Sequence, residues 1–163
     1  MMISEPYADK IRARWEAVRG IAIEIASGSD GHAKVLARLG ASQVELRVGR
    51  DGDPAGDGDV LFVGHAFSDV PRLLDVLESG SQLSAEDAAG IGLRVASASP
   101  GHWTAFIESD GGIGGSDVIS VSESDSEADM YLWMGQDVAP SEIFRFVAEA
   151  RQDVPALLAA TRQ

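Results

Sequence analysis

The chain has 163 residues, of which 45% are apolar and 24% charged, enough to bury a core in one domain. It has no cysteine, which excludes disulfides, thiolate metal sites and cysteine nucleophiles. Lys and Arg number 13 against 26 Asp and Glu, and the net charge of −13 disfavours nucleic acid and favours basic partners. The charge is uneven, with 9 basic and 13 acidic residues in 1–80 but 4 and 13 in 81–163. The stretch from Trp103 to Phe144 holds nine acids and no Lys or Arg. Met1-Met2-Ile3-Ser4-Glu5-Pro6 lacks the basic and apolar regions of a signal peptide, so the expected location is the cytoplasm. No apolar run approaches the roughly 18 residues of a membrane span.

In chain order, Ile11, Trp15 and Val18 lie at helical spacing and predict a helix over Tyr7–Val18. Three alternating strands follow, carried by Ile21, Ile23 and Ile25, then Val35, Ala37 and Leu39, then Val44, Leu46 and Val48. Asp59 is expected to cap a helix over Val60–Phe67, and Asp69-Val70-Pro71 to restart it, with Ser68 or Asp69 as the second cap. Ser79-Gly80-Ser81-Gln82 reads as a linker. Ser84 then caps a helix from Ala85 that stops before Ser99-Pro100-Gly101. Strands recur at Ala105 and Ile107, at Ile119 and Val121, and at Ala128, Met130 and Leu132. Trp103 shares the parity of Ala105 and Ile107 and is expected in the core. A last helix carries Asp153-Val154-Pro155.

The halves read as an internal duplication. Residues 62–74 match residues 146–158 at eight of 13 positions, 84 residues apart, including Asp-Val-Pro-x-Leu-Leu. The same offset places Ile23-Glu24 on Ile107-Glu108 and Asp53 on Asp137. The expected fold is α+β: two tandem helix–three-strand–helix repeats, 1–80 and 81–163, packed as one pseudo-symmetric domain with antiparallel sheet. A unit of about 80 residues is marginal alone, which favours packing the two together.

The Asp-Val-Pro string, preceded by Phe-Val-x-x-Ala, resembles the C-terminal signature of small proteins of actinobacteria and their phages. Ala98-Ser99-Pro100-Gly101-His102-Trp103 is similar to a second stretch of those proteins. The resemblance covers residues 98–160 and reaches the first half only through its end helix. It implies origin and organisation, and no established activity.

Chemistry-bearing patterns are sparse. His32, His65 and His102 are widely spaced and form no metal pair. Residues 51–59 alternate Asp with small residues, but a calcium loop counted from Asp51 has Ala55 at position 5 and Phe62 at position 12, where ligands are needed. Residues 111–115 are Gly-rich without the Lys-Ser/Thr of a phosphate loop and read as a hairpin tip. Glu24 and Glu108 are the candidates for a carboxylate pair in acid–base work. Around 120–134, Met130 and Leu132 face the core, which turns Asp129, Tyr131 and Trp133 to the other side. Tyr131 and Trp133, ringed by Glu123, Asp125, Glu127 and Asp129, are the expected partner-binding residues. The counterparts of this stretch in the first half are Glu45, Arg47 and Gly49, with Lys34 and Arg38 on the neighbouring strand. The expectation is a non-enzymatic acidic protein that binds a basic protein partner, without cofactor, metal, nucleic acid or membrane. A role in host–phage or toxin–immunity conflict follows by analogy. The alternatives are an oligomerising module that forms a homodimer through the two aromatics, and a small enzyme using strand carboxylates.

Overall fold

The computed structural model describes residues 3–50, 53–108, 117–121 and 129–162. The order is α1 (Glu5–Val18), β1 (Ala22–Ser27), β2 (Ala33–Leu39), β3 (Ser42–Arg50), β4 (Asp53–Pro54), α2 (Asp57–Ser79), α3 (Ala85–Ser97), β5 (Thr104–Phe106), β6 (Val118–Ser120), β7 (Met130–Met134), β8 (Asp137–Val138) and α4 (Ser141–Thr161). The fold is α+β, with one antiparallel sheet in the order β1-β2-β3-β7-β6-β5. The short strands β4 and β8 add to β3 and β7.

Period-two alternation decides which face of the sheet is buried. Val35, Ala37, Leu46, Val48, Met130 and Leu132 are buried and meet Phe62, Val63, Val70, Phe144, Val147 and Leu157 from α2 and α4. Trp103 is fully buried and meets Phe62 edge-on at 5.5 Å. Ser4 and Ser84 cap α1 and α3 through the amides of Tyr7 and Asp87. Helices α2 and α4 pack on the buried face of the sheet, and α1 and α3 pack against those two helices, so no helix among the described residues covers the opposite face.

The middle of the sheet is the β3–β7 pair, with Leu46 opposite Met134, Val48 opposite Leu132 and Arg50 opposite Met130. Adding 84 to 46 and subtracting it from 134 turns the first pair into the third, and the middle pair maps onto itself. Strands β4 and β8 lie 84 residues apart. Ala55 N donates to Val48 O and Ala139 N to Leu132 O, each at 3.0 Å.

The expected break in the end helices is absent. α2 runs unbroken through Pro71, and α4 through Pro155. An interior proline normally costs about 3 kcal/mol by removing one hydrogen bond and crowding the preceding turn. Burial on both sides of it, by Val70, Leu73 and Leu74 in α2 and by Val154, Leu157 and Leu158 in α4, holds each helix together. Asp69 is therefore not a cap. It is buried and takes two hydrogen bonds from Arg94 of α3, at 2.8 and 3.1 Å. Asp153 is buried likewise and takes Arg14 of α1 at 2.8 Å and the Tyr7 hydroxyl at 2.7 Å. Asp59 is no cap either: Gly56 occupies the N-cap of α2, and Asp59 accepts from Ser99 and Arg50.

Burial first, then the hydrogen bond to Asp153 and its charge, push the Tyr7 phenol well above its ordinary value of 10.0. The folded state keeps a proton that the unfolded chain releases above about pH 10. This contribution is complete below that pH and is lost as the pH rises past it. Denaturant midpoints at pH 8 and about pH 10.5 will differ more in the wild type than in Tyr7→Phe.

Candidate functional site

Strand β7 crosses the middle of the sheet with Met130, Leu132 and Met134 turned into the core. Tyr131 and Trp133 consequently lie on the open face, half-buried. Their rings stack at 6.0 Å and 25°. Because β7 pairs with β3, Trp133 stands opposite Arg47 and Tyr131 opposite Gly49. The Arg47 guanidinium lies 5.2 Å from the centre of the Trp133 ring, a distance at which a cation is attracted to the ring face.

The structure thus brings together Tyr131 and Trp133 as the alternation predicted, and puts a cation beside them. Asp129 directly precedes β7 and is partly buried. Glu123, Asp125 and Glu127 lie outside the described residues.

A feature that sequence reasoning missed adjoins this face. The β2–β3 ladder runs from Leu39 opposite Ser42 to Val35 opposite Leu46 and ends there. Beyond it, β2 stays with β1 through Ala33 and Lys34, whereas β3 continues beside β4 and β7. The first turn of α2 clasps the splayed end of β2: Asp57 Oδ1 accepts from Ala33 N at 3.2 Å and lies 3.3 Å from His32 Nδ1. Between the two strands is a cleft of about 1140 Å³, lined by Asp30, His32, Lys34, Glu45, Arg47, Asp57 and Trp133 among others. Asp57 gave no sequence signal for this role, because an Asp in a Gly-rich loop reads equally well as solvated.

The other candidates do not assemble. Glu24 is on β1, and Glu108 follows β5, at opposite ends of the strand order. Five strand spacings of about 4.8 Å separate those strands, far beyond the reach of a shared substrate atom. The three histidines sit on different segments. His65 is half-buried on α2, and burial, then the charge of Arg94, lowers its pKa from the usual 6.5. Among the described residues no group of three His, Asp or Glu side chains could hold a metal ion. Of the acids in 51–59, Asp57 and Asp59 are used by the hydrogen bonds given above. No helix among the described residues is long and apolar enough to cross a membrane.

A second, smaller concavity of about 490 Å³ lies between α1 and α2. Its floor includes Ile3, Leu74 and Leu77, and Arg12 at its rim pairs with both Asp9 and Glu78.

No protein-family model, curated protein or solved structure matches this chain.

Proposed function

We propose that the chain is a non-enzymatic binding protein that docks a basic protein partner on its open sheet face, acting in the cytoplasm. The observation that carries this reading is the uncovered Tyr131–Trp133 stack at the centre of the sheet. Large, rigid aromatic side chains held by strand backbone are effective anchors, since little conformational freedom is lost on contact. Strand β7 is entered from a segment containing Glu123, Asp125, Glu127 and Asp129 and no base. The Tyr131 end of the stack is therefore next to acid in sequence, while the Trp133 end meets Arg47. The net charge of −13 supplies long-range attraction for a basic surface. A role in host–phage or toxin–immunity conflict remains the biological setting suggested by the resemblance of residues 98–160.

The platform for this face is, in the same proposal, a fused pair of repeats, 1–80 and 81–163, related by a pseudo-two-fold axis through the Val48–Leu132 pair. The self-mapping register of β3 and β7 supports it, since an isologous contact has that property. So does the exchange of first helices: Arg14 of the first unit bonds Asp153 of the second, and Arg94 of the second bonds Asp69 of the first.

The test is affinity capture from host lysate at low and at about 0.5 M salt, where exposed charges are strongly screened. The expected result is one basic protein, retained at low salt, released at high salt and lost with Tyr131→Ala/Trp133→Ala. A partner retained equally by the double variant would overturn the reading. A second reading, a small enzyme, gains from the cleft, which is larger than the roughly 300 Å³ at which ligand sites begin. It does not gain from Glu24 and Glu108.

A further inference from the structure

We propose that the cleft between β2 and β3 binds a small anion, a carboxylate or phosphate carried on an apolar body, with Arg47 as the charged anchor and Trp133 as the wall. This goes beyond partner docking and stands without it.

Each acid of the cleft has an internal partner. Asp30 accepts from His32 N at 3.0 Å, Asp57 holds Ala33 N and faces the His32 ring, and Glu45 faces Lys34 at 3.6 Å. Arg47 is the charged side chain there with no hydrogen bond or ion pair among the described residues; its guanidinium instead lies over the Trp133 ring. A guanidinium laid on an aromatic face keeps its N–H edge free, and that edge fits a carboxylate or phosphate in two parallel hydrogen bonds. Lys34 also lines the cleft, with its charge paired to Glu45. The apolar body has a place as well. Trp133 lines the cleft, and Gly49, also in its lining and opposite Tyr131, brings no side chain.

The protein as a whole repels anions, so binding should be measured at about 0.15 M salt, where the screening length is about 8 Å and contact pairs persist. The readout is the indole N–H resonance of Trp133, distinguished from those of Trp15 and Trp103. The probes are inorganic phosphate, phenyl phosphate and benzoate. The expected result is a saturable shift of the Trp133 signal with phenyl phosphate or benzoate, at millimolar Kd or tighter. The affinity should fall at least about tenfold in Arg47→Gln and by a smaller factor, about three- to tenfold, in Arg47→Lys, which keeps the charge but loses the stacked, two-pronged fit. Arg47 is exposed, so both variants fold, which unchanged Trp15 and Trp103 signals will establish. No saturable shift with any probe up to about 10 mM would overturn the site. So would equal affinity in Arg47→Gln. Phenyl phosphate binding no tighter than inorganic phosphate would remove the apolar body from the proposal and leave a bare anion site.

Discussion

Asp69→Ala is expected to destabilise the protein by about 3 kcal/mol, against about 0.5–2 kcal/mol for the loss of a helix cap. The Asp69 carboxylate is nearly inaccessible and takes two hydrogen bonds from Arg94, whose own side chain is 24% exposed. Removing the acid leaves the Arg94 guanidinium at a helix–helix contact without its two hydrogen bonds, with the Asp87 carboxylate as a remaining acid that feels its charge. The partial exposure of Arg94 keeps the cost at the lower end of the range for broken buried pairs, about 3–5 kcal/mol. Asp153→Ala should cost at least as much, because Asp153 also accepts from Tyr7, and Arg14 Nε is already buried without a partner. Urea unfolding measures both. The companion variant Asp69→Leu/Arg94→Met replaces the pair by apolar side chains and should recover most of the loss, since a buried ion pair is often no better than a packed apolar one. A cost below about 1 kcal/mol for Asp69→Ala would mean that Arg94 finds water instead, and the pair would then not lock α3 to α2.

Asp69 also shows where the sequence was legible and where it was not. Caps with purely local partners were readable: Ser84 before Ala85 bonds the amide three residues on. Alternation placed Ile23, Val35, Leu46 and Leu132 on one side, and by the same rule turned Tyr131 and Trp133 to the other. Asp69 before a proline satisfies the same local rule as a cap, yet its partner is 25 residues away on another helix. A buried ion pair and a cap use the same residue type, and local pattern cannot separate them. The pairing of β3 with β7 is equally silent, because each strand carries the same alternation whichever neighbour it takes. Without that pairing, Arg47 reads as the counterpart of Tyr131, and Trp133 as that of Gly49, in separate halves, and nothing brings Arg47 to the Trp133 ring. The cleft depends on a ladder that stops at Val35 and Leu46, and the Asp57 clasp on Ala33 beside it joins residues 24 apart.

Gly58→Ala, a change of one methyl group, is expected to cost about 3 kcal/mol and to lower Tm by about 6–12 °C. Gly58 lies in the first turn of α2, where that helix meets the end of α3. A Cβ there would stand 2.1 Å from the Ser97 carbonyl oxygen and 2.9 Å from its carbon. Those are backbone atoms, so relief requires moving one helix against the other. The surrounding joint resists that motion. Asp59, next in sequence, accepts from Ser99 N at 2.6 Å and from Ser99 Oγ at 2.7 Å, and Arg50 bonds both Asp59 and Ser99. The Ser99 carbonyl accepts from Trp103 Nε1 at 3.2 Å and from Arg151 Nε at 3.1 Å. Shifting α3 would disturb a fully buried tryptophan together with a buried carboxylate. Gly90→Ala in α3 supplies the control. Its Cβ would come no closer than 3.6 Å to the Arg94 guanidinium, and alanine favours a helix interior over glycine by about 1 kcal/mol. Thermal unfolding should therefore show opposite signs for the same substitution in two adjacent helices. A Gly58→Ala protein as stable as the wild type would mean that α2 and α3 approach less closely than the joint around Ser99 requires.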